Sequence, residues 1–363
     1  MTTPRTVPAV GAKAADLPKS GPILYVRRTP LTTVEDVRAA LQQAIELEHA
    51  TLPVYLQAAY SLDETKNAEI VSMITGVVMQ EMEHFCQAAN ILVAIGGKPA
   101  IDNPAFVPTY PGGLPKGIGS QPGQPPFIVH LRGFSLDQVE NCFMVIEEPA
   151  DPLDIKESAL RAAPSDIAEN YRTIGEFYDA IAAALKALGD GVFSHSRDWQ
   201  VYGMFGTKPI LGLEDALQAI ERIVREGEGT PTSPMEGEVG ATTAHYYSFY
   251  EIWKGRKIGK NAAGEWVFTD ALVPFDPTGV QDLIDDPKQA DYPPGSNVAI
   301  QSRAFNTYYS DMLKALHAAF NGNPGKINHA IGLMFDIKIQ AKQLMAMTLD
   351  NGKHAAPTWE YVA

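Results

Sequence analysis

Two long amphipathic helices are predicted in the first third of the chain, and each carries ionisable residues where its apolar stripe should continue. In the first helix, Glu48 stands in line with Ala44 and Leu52. In the second, Glu81 and His84 share the apolar face, because residues three apart on a helix are neighbours. Burying an unpaired carboxylate costs several kcal/mol. A chain with this pattern must therefore neutralise these groups or expose them.

A pair of metal ions would neutralise them. Cores of helical bundles hold two-metal centres through Glu residues and Glu-x-x-His motifs. The alternative is that Glu48, Glu81 and His84 lie at the edge of the stripe in ordinary salt bridges. A lone Glu-x-x-His motif is common by chance, but three such residues on two inward stripes favour the metal interpretation.

The hydrophobic pattern predicts a mainly α protein whose helices are interrupted by long insertions. Residues 98–164 are rich in Pro and Gly, which is typical of a crossover connection between helix pairs, with a strand near 127–134. The predicted helices are about 33–62, 67–95, 165–188, from 213 with a break before 241–253, 297–321 and 326–349.

The pieces lack separate cores, so we expect one domain with additions. Its parts are an arm with a short strand (1–30), a bundle with a crossover insertion at 98–164 (31–255), and a loop-rich segment followed by a helical hairpin packed on the bundle (256–363).

Composition excludes several classes of function. The net charge is -14 and no basic stretch offsets it, which argues against nucleic acid as a partner. Cys86 and Cys142 lie in apolar contexts, so a disulfide framework is not expected. No apolar signal core or long apolar run is present, so we expect a cytoplasmic protein that does not span a membrane. The sequence is compatible with a homo-oligomer and with a monomer.

Later helices carry weaker signals. Glu176 lies opposite the main apolar stripe of its helix, which a solvated Glu explains equally well. Glu228 lies nearer its helix's stripe than Glu226. His245 shares a helix face with Phe249, and it would form a discontinuous Glu–His pair with Glu228 if the loop between them folds out. A single His on an apolar face is more often a core residue.

An ordered series of motifs runs through the chain. They read AIELEHATLPVYLQAAYS, VVMQEMEHFCQAANILVAIGGKP, FVPTYPGGLP, LRGFS, FMVIEEP, TIGEFYDAI, and AIERIVREGEG followed by AHYYSF. This series resembles a ferritin-like family that includes the iminophenylpyruvate dimer synthases of bisindole pigment and antibiotic pathways, together with stand-alone bacterial proteins. The resemblance covers roughly residues 30–350, and the ordered series is more specific than any single motif. It implies a ferritin-like four-helix bundle with long loop and short-strand insertions and an extra C-terminal helical hairpin.

The resemblance also implies a site. The Glu48-to-Tyr55 spacing resembles the first helix of ferritins, which implies that Tyr55 lies near the metals as a candidate catalytic or wall residue. Hard oxygen ligands with imidazole suit iron, with manganese as the alternative. After Glu228 the chain departs from the pattern with a long Gly- and Pro-rich segment. The implied metal ligands are Glu48, Glu81, His84, Glu176, Glu228 and His245.

The expected function is therefore that of a di-iron oxidoreductase that uses dioxygen on a small organic substrate, in secondary metabolism and with an aromatic amino-acid-derived compound as the suggested class. Two alternatives stay open: iron handling or peroxide disposal without an organic substrate, and a metal-free structural bundle. The insertions at 98–164 and 254–296 argue against a storage cage, and we expect them to form walls of a specific pocket.

Overall fold

The computed structural model describes most of the chain from residue 30 onward. The short strand predicted within the first 30 residues, and the predicted start of the third helix at 165–170, lie outside the described residues. Within the described part, no helix is both long enough and apolar enough to cross a membrane. The described residues are 30–120, 125–153, 155, 171–194, 197–204, 206–236 and 242–363.

Two long helices, α1 (Val34–Ser61) and α2 (Ala68–Ala94), pack along each other and form the centre of the fold. α1 begins at a capping box, in which Thr33 and Asp36 each accept a hydrogen bond from the other's backbone N–H. α2 ends before Gly96, whose φ of 77° is the left-handed conformation common after helix C-termini. Each predicted end of these helices agrees with the structure to one residue.

The crossover contains a helical segment that the sequence pattern did not predict. It consists of α3 (Leu136–Gln138), a π-helical stretch (Val139–Phe143) and α4 (Met144–Ile146). This crossover segment packs against α7 (His245–Lys254). The strand predicted at 127–134 is reduced to one isolated bridge with residue 112. Its Pro- and Gly-rich surroundings offer no continuous partner strand.

Helices α5 (Ile174–Leu188) and α6 (Leu213–Glu228) pack on each other and across one side of the bundle. α5 contacts α1, whereas α6 contacts α2 and α7. The N-cap of α5 is Thr173, whose side chain accepts a hydrogen bond from the N–H of Glu176. The bundle around the site is thus built from α1, α2, the crossover segment and α7, with α5 and α6 as a second layer.

The remainder of the chain adds a small sheet and a helical hairpin. Strands β1 (Arg256–Lys260) and β2 (Trp266–Leu272) form an antiparallel pair in the region expected to be loop-rich. Helices α8 (Asn297–Phe320) and α9 (Ile327–Met345) pack on α2 and α1, respectively, and share one hydrophobic core with the bundle. This confirms the mainly α class with short-strand insertions and a C-terminal hairpin. Short 3₁₀ turns lie at Pro104–Phe106, Pro115–Gly117, Asp190–Val192, Pro277–Gly279, Gln289–Asp291 and Pro324–Lys326.

Candidate metal centre

A cluster of carboxylates and imidazoles lies inside the bundle. Glu48 comes from α1, Glu81 and His84 from α2, and His245 is the first residue of α7. Glu147 directly follows α4 in the crossover segment. All five side chains are buried, with at most 3% of each residue exposed. Such a concentration of buried carboxylates is unfavourable unless protons or cations compensate it.

Glu81 is the carboxylate that both imidazoles share. His245 Nδ1 lies 2.7 Å from Glu81 Oε1 and 3.5 Å from Glu147 Oε2. His84 Nδ1 lies 4.0 Å from Glu81 Oε1 and 3.9 Å from Glu48 Oε2. One ligand atom from each of Glu81, His84 and His245 lies within 4.8 Å of the others. The cluster therefore has two halves, His84 with Glu48 and His245 with Glu147, and Glu81 lies between them.

Each outer carboxylate accepts a hydrogen bond from a buried tyrosine. Tyr55 OH lies 2.5 Å from Glu147 Oε1, and Tyr178 OH lies 2.5 Å from Glu48 Oε1. Tyr55 therefore borders the cluster as the resemblance implied. Tyr178 of α5 was not singled out by sequence, because it lies on that helix's apolar stripe and looks like a packing residue. These phenols fix the orientation of one oxygen of each carboxylate.

The protonation of the cluster follows from burial and mutual charge. Burial and the neighbouring Glu81 raise the pKa of both Glu48 and Glu147. Burial opposes ionisation of Glu81 as well, but His245 and His84 lower its pKa to about 2. For His245, the carboxylates of Glu147 and Glu81 outweigh burial and raise its pKa well above the ordinary value. Without a metal, the cluster thus retains protons that partly neutralise it.

The imidazoles are oriented as metal ligands would be. His245 Nε2 lies 3.1 Å from Gln80 Oε1 and donates to it, so the Nδ1 of a neutral ring presents its lone pair to the carboxylates. That Nδ1 lies 2.7 Å from Glu81 Oε1, a contact that favours a proton on the ring when no metal is bound. His84 has the same orientation, with Nε2 2.9 Å from Glu226 Oε2. A ring nitrogen that faces carboxylates needs a positive charge between them, which a proton on His245 supplies when no metal is bound and which a metal ion can supply in its place, so this donor set fits a metal.

Two glutamates near the end of α6 have different positions. Glu228 lines a small cavity beside the cluster and accepts a 2.6 Å hydrogen bond from the Gly175 N–H. Burial raises the pKa of Glu228 to about 7, although hydrogen bonds to Gly175 and Thr173 lower it. Glu226 instead lies behind His84, at its outer nitrogen. The predicted ligand Glu228 thus reaches the cavity, whereas Glu226 contacts His84 from the side away from the cluster.

The predicted ligand Glu176 is not brought to the cluster, which corrects the expectation. Its carboxylate accepts hydrogen bonds from the backbone N–H, Nε and Nη2 of Arg172 at 2.9, 2.9 and 2.7 Å. α5 begins at Ile174, so Glu176 lies in the first turn, where the helix dipole stabilises a carboxylate. The carboxylate that joins the cluster is Glu147, whose sequence signal is the apolar run of FMVIEEP that ends in two glutamates.

The cavity lies between the start of α5 and the end of α6 and reaches the cluster. Its wall includes Glu147, so the insertion at 98–164 contributes to it as expected. None of the described residues in 254–296 is part of that wall. The lining residues are Glu48, Glu81, His84, Glu147, Ile174, Gly175, Ile223, Val224, Gly227 and Glu228.

Comparison with known proteins agrees with this architecture. A family model described as Ferritin-like matches residues 41–254. Among solved structures, the chain is similar to a ferritin like protein from Caulobacter vibrioides, with a TM-score of 0.61 and 23% identity over 92% of this chain and 100% of that chain. At this identity the likeness shows the fold alone. A search of curated proteins finds no match.

Proposed function

The chain belongs to the Ferritin-like family, whose model matches more than half of it, and from this premise we propose that its cluster binds two iron ions, with manganese as the alternative. We further propose that the protein is an oxidoreductase that uses dioxygen on a small organic substrate. The observation that carries the proposal is the convergence of three buried carboxylates and two imidazoles whose Nδ1 atoms face them. Carboxylate oxygens with imidazole nitrogens are a ligand set suited to iron or manganese.

The residues divide between two ions. Glu48 and His84 would hold one ion, Glu147 and His245 the other, and Glu81 would contribute to both. When bound, a pair of iron(II) ions would supply electrons for the reduction of dioxygen. The side chains are almost entirely buried, which excludes bulk water from the centre.

Two tyrosines orient the outer carboxylates, and Glu228 is a proton-exchanging group beside them. Tyr55 and Tyr178 each donate to one oxygen of an outer carboxylate, which leaves the other oxygen for an ion. Glu228 is an ionisable residue of the cavity wall, and burial raises its pKa to about 7. It is therefore able to take up or release a proton near neutral pH beside the cluster.

Four considerations bear on the competing functions. The metal-free bundle needs Glu48, Glu81 and Glu176 at the surface, but Glu48 and Glu81 are each only 1% exposed. A storage cage uses outer helix faces for assembly, whereas the α8–α9 hairpin packs on α1 and α2. The small size of the cavity favours a second candidate, which is oxidation of iron or disposal of peroxide without an organic substrate. The resemblance to dimer synthases supports an aromatic amino-acid-derived substrate.

Metal content tests the ligand assignment. Wild-type protein reconstituted anaerobically with iron(II) should retain about two ions per chain by elemental analysis. Glu81→Ala, His84→Ala and Glu147→Gln should each lower that content. Glu176→Gln is the matched control and should retain the wild-type content. Full occupancy in the Glu81 and His84 variants, or loss in the Glu176 variant alone, contradicts the assignment.

Oxygen uptake tests the reaction. Iron(II)-loaded protein is mixed with dioxygen, with and without candidate aromatic amino-acid-derived compounds. Uptake that one compound accelerates, with turnover of that compound, supports the oxidoreductase. Uptake that depends only on added iron(II) and yields ferric mineral supports the second candidate instead.

A further inference from the structure

The two imidazoles of the cluster have different partners at their outer nitrogens. His84 Nε2 lies 2.9 Å from the carboxylate oxygen Oε2 of Glu226. His245 Nε2 lies 3.1 Å from the side-chain amide oxygen Oε1 of Gln80. One imidazole therefore donates to a carboxylate and the other donates to a neutral amide.

The carboxylate partner is fixed in place by an arginine. Arg222 Nε donates to Glu226 Oε1 at 2.6 Å, on the oxygen that does not contact His84. The same guanidinium binds Glu83, with Nη2 2.9 Å from Oε2 and Nη1 2.7 Å from Oε1. Glu226 itself is 5% exposed. A buried carboxylate whose other oxygen is held by a charged arginine keeps its orientation and its charge toward the ring.

The outer partner changes how strongly an imidazole binds a cation. An imidazole that donates electron density to a metal acquires positive charge at its outer N–H. A carboxylate stabilises that charge more than an amide does, so it makes the ring a stronger ligand. His84 is therefore the stronger of the two imidazole donors.

The remaining donors of the two halves are the same in kind, although Glu81 Oε1 lies 2.7 Å from His245 Nδ1 and 4.0 Å from His84 Nδ1. Each half has one outer carboxylate with a tyrosine hydrogen bond, Glu48 with Tyr178 and Glu147 with Tyr55, and both share Glu81. Glu228 is held by the Gly175 N–H at 2.6 Å and lines the cavity together with Glu48 and Glu147, one outer carboxylate from each half. The outer partners of the imidazoles are thus the main chemical difference between the halves.

We infer that the centre loads its two ions in order: the half with His84 and Glu48 binds the first ion more tightly, and the half with His245 and Glu147 binds the second more weakly. Glu226 and Gln80 are the positioning residues that set this difference. The inference rests on the proposed two-metal function.

Anaerobic titration with iron(II), followed by calorimetry, tests this order. Wild-type protein should bind iron(II) in two steps of different affinity. Glu226→Gln should weaken the tighter step by about 10- to 100-fold and leave the weaker step in place. Gln80→Glu should strengthen the weaker step and bring the two steps together. Glu147→Gln should remove the weaker step and so locate it.

Glu83→Gln is the matched control, because it alters the same arginine network without touching His84 and should preserve two steps. Gln80→Glu keeps the test decisive if Glu226→Gln does not fold, since a gain in affinity does not arise from misfolding. Three results would overturn this inference but leave the proposed function standing. They are two equal steps in the wild type, an equal loss in both steps of Glu226→Gln, and an unchanged weaker step in Gln80→Glu. A wild-type protein that binds no iron(II) would overturn the proposed function as well.

Discussion

At the scale of single residues, Gly175 is fitted closely to Glu228. A Cβ atom at this position would lie 2.7 Å from the carboxyl carbon and both oxygens of Glu228. The same backbone N–H donates to that carboxylate. The absence of a side chain at residue 175 therefore allows the carboxylate to rest against the start of α5.

The added methyl group of Gly175→Ala should displace Glu228 and so break the hydrogen bond from the residue 175 N–H to that carboxylate. We expect the metal-free variant to be about 1 kcal/mol less stable than wild type in urea unfolding. Gly76→Ala is the control, because nothing lies within 4 Å of its added Cβ in the middle of α2. That change should stabilise by up to about 1 kcal/mol through helix propensity. In a Glu228→Ala background, Gly175→Ala should no longer destabilise; if it still does, the contact with Glu228 is not the cause.

Residues of the centre differ in how far sequence alone could identify them. Glu48, Glu81 and His84 interrupt the stripes of long helices, so periodicity was enough to point them inward. Glu147 follows a short helical segment with a π-helical stretch, in which no regular period places a side chain. Glu176 entered the expected ligand set only through the family resemblance, since its position opposite the apolar stripe of its helix fits a solvated side chain equally well.

At the scale of elements, two adjacent residues of α1 contact different parts of the protein. Glu48 faces the cluster, whereas His49 faces α8, because consecutive residues on a helix point about 100° apart. His49 Nε2 lies 2.8 Å from Tyr309 OH, and its ring lies 4.7 Å from that of Phe106. Burial lowers the pKa of His49 to about 3. The C-terminal hairpin thus packs on a neutral histidine.

His49→Gln should change how stability depends on acid. Between about pH 3 and 6.5 the unfolded chain protonates His49 and the folded protein does not, so this residue makes stability fall as pH falls. From pH 7.5 to 5.5 the wild type should lose about 1 kcal/mol more than the variant. Chemical unfolding of both proteins at the two pH values measures the difference. Parallel pH profiles would show that His49 is not buried in its neutral form.

Long elements were predictable and short ones were not. α1, α2 and the C-terminal hairpin each extend over several turns, so their apolar period is unambiguous. The two strands of the small sheet and the crossover segment are too short for a period to emerge. Their structure depends on contacts such as that between the crossover segment and α7, which the local sequence does not encode.

At the scale of the whole molecule, part of the acid excess faces inward. The net charge is -14, yet Glu48, Glu81, Glu83, Glu147, Glu226 and Glu251 are buried. Several of these groups hold protons in the folded state that the unfolded chain would release. The pH dependence of stability should therefore differ between the metal-free and the metal-loaded protein.

Between about pH 6.5 and 8 the metal-free protein should become less stable as pH rises. Burial raises the pKa of Glu228 and of Glu83 to about 7, and the neighbouring carboxylates raise that of His245, so the folded state binds more protons than the unfolded state. Bound iron(II) replaces the protons on the ligands, so its stabilising effect should grow as pH rises. Thermal unfolding with and without anaerobic iron(II) at several pH values checks this; identical pH slopes would contradict it.

The donors of the centre come from α1, α2, the crossover segment and α7, and Glu48 and His245 stand far apart in the chain. A growing polypeptide that ends after α2 already has Glu48, Glu81 and His84, but it lacks the Glu147–His245 half of the cluster. If the cluster binds two ions as we propose, the second ion can bind only after α7 has docked. A truncated or half-assembled chain would thus hold at most a single ion and would not carry a redox-active pair.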